Sequence, residues 1–338
     1  MRERRLWTLT ALLRMPLAAD GKSRAVLLAL CAIAVLAALA LAACSGAPRA
    51  QVSARDSVDE YSWSELSAIS SEIAAASDDA AALDVAKRYG LVGVNGRLDG
   101  TQRKTVQLAD GTSVGAVVAG FRHDDKPGGG KVGITFIFSD AVAERAMNNN
   151  AGFDERSDSD GYDAEGGWLA SEMRAWLNGD FADQLPADLR ASLVDVAKPS
   201  IAIPEFLIAN VDDNNVAEFS DKSLMSSGVD KLWLPSVVEV GDPAEDALAV
   251  EERPEWTSVL AGEGARYQLF ADAEQAGTLN AVRVHKLATA ESDAAPCRWW
   301  LRSVEDMTFA DVRADGTLDR MQDELAAHPL GVVPCFAL

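Results

Sequence analysis

An uncharged apolar run over residues 25–43 sets the limits within which the rest of this chain must fold. It is long enough to reach across a bilayer. Arg2, Arg4, Arg5, Arg14, Lys22 and Arg24 stand on its N-terminal side against only Glu3 and Asp20, so the first 44 residues carry a charge of +4. Positive flanks stay on the inner side of a membrane, which places everything after the run outside. Folding of the remaining chain is therefore expected in an extracellular setting.

The run ends in Leu41-Ala42-Ala43-Cys44-Ser45-Gly46. This ending resembles a bacterial lipobox, in which small residues precede a cysteine that is diacylated and becomes the new N-terminus. Small residues at such a position mark processing; the other reading is an uncleaved anchor with an incidental cysteine. Both readings tether the protein outside the membrane, through lipid at Cys44 or through the N-terminal segment. The expected organisation is a signal peptide or membrane segment over residues 1–43, a polar tether over 44–57, and one extracellular α+β domain over 58–338. Residues 58–90 form the helical N-terminal part of that domain.

The whole chain carries −21, so the part beyond Cys44 carries −25. A surface this acidic repels nucleic acid and anionic headgroups, and it excludes heparin-type ligands. Of the four cysteines, Cys31 lies in the apolar run and Cys44 at its end. Cys297 and Cys335 remain as an even pair, which outside a cell reads as a disulfide. Closing a loop of about 40 residues would contribute on the order of 3–4 kcal/mol. The rival is a redox or copper-type pair, but there is no C-x-x-C and no neighbouring histidine.

Along the chain, Ser62-Trp63-Ser64-Glu65 has the form of a capping box opening a helix through Leu66, Ile69 and Ile73. A second helix is expected from Asp79 to Tyr89, stopped by Gly90. Two alternating runs flank Asp110-Gly111, a hairpin signal, and residues 132–138 read as a buried central strand. The run Gly128-Gly129-Gly130 reads as a turn, since it lacks the lysine spacing of a phosphate loop. Trp168, Leu169, Met173, Trp176 and Leu177 fit one buried helical stripe, and Pro186 opens a helix facing inward through Leu189, Leu193 and Val196. Leu232-Trp233-Leu234 reads as a short strand before a helix capped at Ser236 with Glu239. Residues 241–264 read as an acidic surface insertion, and residues 267–270 and 281–286 as strands.

The stretch Cys297-Arg298-Trp299-Trp300-Leu301-Arg302-Ser303 holds two of the chain's eight tryptophans. Read as a strand, it places Cys297, Trp299 and Leu301 on one face and Arg298, Trp300 and Arg302 on the other. An indole between two arginines suits carbohydrate or acidic-peptide contact, so Arg298, Trp300 and Arg302 are the candidate ligand face. The opposing reading covers Trp300 with helices and pairs the arginines with local carboxylates.

No catalytic or metal set emerges. His123, His285 and His328 share no metal spacing. The acidic loop over residues 148–166 fails the calcium-loop register, with Arg156 at the first ligand position and Gly167 at the last. Calcium thus has no full motif, there or at Asp212-Asp213-Asn214-Asn215. His123-Asp124 reads as a structural pair or as a catalytic one.

Taken in order, Tyr61-Ser62-Trp63, Phe121-Arg122-His123-Asp124, Gly133-Ile134-Thr135-Phe136, Ser171-Glu172-Met173-Arg174-Ala175-Trp176-Leu177-Asn178, Lys231-Leu232-Trp233-Leu234-Pro235-Ser236 with Glu239, Trp300-Leu301-Arg302-Ser303 and Gly331-Val332-Val333-Pro334 form a set. Together they resemble the bacterial surface domain known as domain of unknown function 6273, over about residues 58–338. The chain departs from that pattern at Val304, where the family usually has proline, and at Val333, where it usually has arginine. A more distant likeness is to the C-type-lectin-like fold of formylglycine-generating enzymes. There a leucine-proline strand leads into a glutamate-bearing helix, as in Leu234-Pro235-Ser236 with Glu239, followed by a tryptophan strand and a glycine strand. That likeness implies short helices on a small, mostly antiparallel sheet. The catalytic cysteine pair of those enzymes and the lectin calcium motifs are not reproduced, so the likeness carries no function.

Two functions follow as expectations. The first is a lipid-anchored extracellular protein whose domain is a non-catalytic module for a glycan, peptide or envelope partner, with no cofactor. The alternative is a secreted hydrolase or modifying enzyme using carboxylates or His123. The missing convergence of nucleophile, base and oxyanion donors favours the first.

Overall fold

The computed structural model describes residues 52–148, 164–202, 224–252, 254–288, 294–305, 308–320 and 326–338. Cys44, the apolar run and most of both acidic loops lie outside the described residues. Residues 52–338 form one compact unit, a mixed α+β arrangement of short helices and mainly antiparallel sheets.

Local chemistry forms the N-terminal helices as expected. In α1 (Trp63–Ala74) the Glu65 amide donates to Ser62 Oγ at 3.2 Å, and the Ser62 amide donates to Glu65 Oε2 at 2.8 Å. Its apolar stripe of Leu66, Ile69 and Ile73 is buried. Helix α2 (Asp79–Arg88) is capped by Asp78 and followed by Gly90 in the left-handed region at φ 66°, a conformation that costs glycine little.

The first sheet orders its five strands β1-β2-β3-β14-β7. Strands β1 (Arg103–Gln107) and β2 (Ser113–Phe121) make the expected hairpin, with Gly111 at φ 91° in the turn. Strand β3 (Ile134–Phe138) is buried at every position and lies at the sheet's centre. Beside it runs β14 (Cys335–Ala337), which also pairs with β7 (Leu232–Trp233). Phe136 and Phe336 stack at 5.3 Å, and Trp63 meets each edge-on at 5.8 Å, locking α1 onto the sheet. The approach is close: a Cβ on Gly133 would lie 1.8 Å from the Ser70 carbonyl oxygen, so only glycine fits there.

The second sheet orders β12-β11-β10-β13-β4, namely Leu318–Asp319, Thr308–Val312, Trp299–Glu305, Leu330–Gly331 and Glu144–Arg145. Its one parallel contact joins β10 to β13. Two ribbons complete the strands: β5 (Val196–Ile201) with β6 (Met225–Asp230), and β8 (His285–Lys286) with β9 (Pro296–Cys297).

Several expectations need correction. The stripe from Trp168 to Leu177 is two helices, α3 (Gly167–Ala170) and α4 (Glu172–Trp176). Ser171 is extended between them and caps the second by accepting the Arg174 amide at 3.1 Å. Helix α6 (Val237–Val240) follows Ser236 as expected, but the helix opened by Pro186, α5 (Ala187–Ser192), ends before Leu193, which is extended, and Val196 instead begins β5 (Val196–Ile201). Residues 241–264 are no loose insertion. They hold α7 (Ala247–Glu252) and α8 (Pro254–Leu260), and bury Trp256, Val259 and Leu260.

The strand expected at 267–270 is the start of α9 (Gln268–Ala276), which buries Leu269, Phe270 and Ala273 on one face. Most of the strand expected at 281–286 is α10 (Leu279–Arg283), with β8 after it. Leu269, Phe270 and Ala273 suit one helical face, and a short aromatic run cannot distinguish strand from helix by period alone.

Cys297 and Cys335 are free thiols rather than a disulfide. They lie on different sheets: Cys297 pairs with His285 in the β8–β9 ribbon, and Cys335 sits between Ile137 and Trp233. Burial raises the Cys297 thiol to about 11 and the Cys335 thiol well above its ordinary value, which disfavours the thiolate at both. Among the described residues no helix is long and apolar enough to cross a membrane.

Candidate functional site

The ligand face expected on the tryptophan strand is interior. Every residue of β10 is buried, and its pairing with β11 shifts register between Trp300 and Val304. Trp300 is fully buried with its indole N–H on the Arg145 carbonyl at 3.0 Å. Arg298 is tied to Asp311 at 2.7 Å and to Asp319 at 2.7 Å. Arg302 is fully buried and spends its guanidinium on Glu239 and on the carbonyls of Leu234, Pro199 and Glu263. Helices α3 and α6 and strand β5 pack against β10, and with every residue of it buried, strand alternation sorted nothing.

A different site forms in front of Arg302. Five separate chain segments bring His123 and Asp124, Lys198, Glu239, Glu263 and Tyr267, and Arg302 and Ser303 together. Lys198 lies on the inward side of β5, with Val196 and Ser200 also buried there. Its ammonium donates to Asp124 Oδ1 at 2.7 Å, to Glu239 Oε1, and to Tyr267 Oη at 3.4 Å. Glu239 accepts from the Ser236 amide at 2.9 Å, as the helix cap requires, and from Arg302. Asp124 Oδ2 accepts from Thr135 Oγ1 at 2.6 Å. The indole of Trp233 donates to Tyr267 Oη at 3.1 Å.

Neighbours decide the charge state of each group. Burial pushes the Asp124 carboxyl up, but Lys198 and the His123 bond outweigh it and hold it well below the usual carboxylate range. Burial likewise opposes ionisation of Glu239, and Arg302 and Lys198 overcome it, leaving its pKa lowered. Glu263 is the exception. Burial wins there and raises its carboxyl, even though Ser303 donates to it and the Ile201 amide bonds it at 3.2 Å. Burial, with Asp124 and Glu239 nearby, lifts the Tyr267 hydroxyl well above its ordinary value.

Over this network opens a cavity of about 470 Å³, with His123, Asp124, Lys198, Glu239 and Glu263 on its wall and Ala265 at its rim. Arg122, just before the histidine, has φ 47°, the left-handed region that non-glycine residues rarely occupy. Its guanidinium holds the conformation by donating to the carbonyls of Ala74 at 2.7 Å and Ala76 at 2.8 Å, at the end of α1. Backbone strain of this kind clusters at functional sites.

His123, Asp124 and Glu239 each offer an atom within 4.8 Å of the others, close enough for a metal ion. The Lys198 ammonium already bridges the two carboxylates, and a cation would have to displace it. Of the histidines, His123 joins the cavity, His285 is buried elsewhere and His328 is exposed. Lys198, Glu263 and Tyr267 escaped the sequence reading. The available signal was Lys198 at an inward position of the alternating run Val196-Ala197-Lys198-Pro199-Ser200.

No curated protein and no solved structure matches the chain significantly. A family match spans residues 133–338, which includes Lys198, Glu239, Glu263, Tyr267 and Arg302 and begins after His123 and Asp124. With that match over more than half its length, the chain belongs to the family described as Domain of unknown function (DUF6273).

Proposed function

We propose that the chain is a lipid-anchored extracellular protein whose domain binds a glycan, a peptide or an envelope partner in the cavity beside His123, without catalysis. One observation carries this reading: the charged groups on the cavity floor are bound to one another. Asp124 and Glu239 are neutralised by Lys198 and Arg302. The lysine nitrogen is spent on hydrogen bonds to two carboxylates and to Tyr267, which turns it away from a substrate. His123 directs both ring nitrogens at protein oxygens instead of toward a substrate. Such a floor is fixed in shape and charge, which suits recognition. A general base needs a free lone pair within reach of a substrate proton.

The Cys44 lipobox resemblance supports the anchor. Full-length protein in detergent, titrated calorimetrically against envelope glycan oligomers and cell-wall peptides, should bind one class. Ala265→Trp, at an exposed rim position, should abolish binding at unchanged melting temperature. Undiminished binding by that variant would move the site elsewhere. Turnover of the bound oligomer that His123→Ala removes would establish the hydrolase reading instead.

A further inference from the structure

Lys198 and Asp124 stand 74 positions apart in the chain and meet nitrogen to oxygen in the interior. The lysine Nζ lies 2.7 Å from Asp124 Oδ1, and the same nitrogen donates to Glu239 Oε1. The three side chains are 2%, 3% and 1% exposed. An amine, a carboxylate and a second carboxylate able to carry a proton are the parts of a condensation. Their main chains are joined independently of these side chains. The Ala197 amide donates to the Asp125 carbonyl at 2.8 Å, which ties the loop after β2 to β5. Reactants positioned in this way reach effective concentrations of about 10⁵–10⁸ M.

The surroundings favour such a step. Trp233 and Tyr267 set their rings against the lysine nitrogen, with centroids 5.0 and 5.7 Å away, and shield it from water. Asp124 Oδ2 accepts from Thr135 Oγ1 at 2.6 Å, so one oxygen is held while the other faces the nitrogen. Glu239 and Asp124 offer oxygens within 4.8 Å of one another, close enough for a proton to pass through the nitrogen between them. Charge also balances once the bond is made. Arg302 binds both oxygens of Glu239, so removing the charges of Lys198 and Asp124 leaves one buried arginine on one buried glutamate. The cavity opens onto all three side chains and gives a released water its way out.

We propose that Lys198 and Asp124 join in an amide bond across the fold, formed by the folded chain itself with Glu239 as proton carrier. The ammonium gives one proton to Asp124 Oδ1, and the resulting amine attacks the carboxyl carbon. The electron pair moves onto Oδ2, which the Thr135 hydrogen bond stabilises. Glu239 takes a second proton from the nitrogen and delivers it to Oδ1. The bond from the carboxyl carbon to Oδ1 breaks, water leaves, and Oδ2 re-forms the carbonyl. The starting ion pair and the products, one amide and one water, hold the same atoms and the same charge. The bond ties the end of β2 to β5 in a chain whose described cysteines are both free.

The test is mass spectrometry of the full chain, purified folded and then denatured. Wild-type protein should weigh one water less than its residues require, and its digest should hold a branched peptide joining Asp124 to Lys198. Lys198→Arg keeps the charge and removes the amine, so both the missing water and the branched peptide should disappear. Glu239→Gln should leave the branched peptide scarce. Wild-type digests that return linear peptides with the Asp124 and Lys198 side chains free would overturn the bond. So would a missing water that persists in Lys198→Arg, and a branched peptide formed as completely in Glu239→Gln would overturn the proton relay.

Discussion

Lys198 is where a single side chain decides most. It is 2% exposed, between carboxylates that are 3% and 1% exposed, so its removal leaves buried negative charge without a partner. Lys198→Met should cost about 3–5 kcal/mol of unfolding free energy in a urea titration; a loss below about 1 kcal/mol would show that Arg302 alone neutralises the site. His285 is the mirror case, a buried residue kept neutral. Its Nδ1 meets the Ser139 carbonyl at 2.9 Å, its Nε2 has no partner among the described residues, and burial lowers its pKa. The unfolded chain takes up a proton near the ordinary histidine value of about 6.5, while the folded chain resists it until lower pH. Stability from His285 is therefore complete above about pH 6.5 and declines as pH falls toward the folded value. Urea midpoints should drop between pH 7 and pH 5.5, and His285→Gln should lessen that drop.

At the level of elements, β10 is buried at every position. Trp299 and Trp300 are both fully buried, and their indoles bond the Arg283 and Arg145 carbonyls at 2.9 and 3.0 Å. Trp300→Ala should cost about 3–5 kcal/mol, read as a fall in urea midpoint; a near-silent substitution would return this residue to the surface. Elements whose start is written in a few adjacent residues were legible, among them the Ser62–Glu65 cap, the Asp110-Gly111 hairpin and the central strand after Gly133. The α9 and α10 helices were not, because Tyr267 through Phe270 and Ala281 through Lys286 are too short and too β-prone for period alone to decide. Packing against β2 and the second sheet settled them.

For the molecule as a whole, the proposed lipid anchor is tested by chemistry at one atom. Metabolic labelling with a fatty-acid analogue should tag the protein, and Cys44→Ala should abolish the tag; a tag that survives would sink the lipobox reading. Net charge and the mixed α+β class could be read from the sequence, because charge is a sum over residues and element periods are local, and neither depends on who touches whom. The His123-Asp124 contact was also readable, since its partners are adjacent. The rest of the site was not. Asp124, Lys198, Glu239, Glu263 and Arg302 are spread from the end of β2 to β10, and each alone looks like a surface charge. The last strand enters the sheet between β3 and β7, and the register of β10 turns Arg302 inward onto Glu239. Long-range pairing of this kind leaves no local pattern. Only the closed structure decides which charges are buried together, because burial forces each to find its opposite.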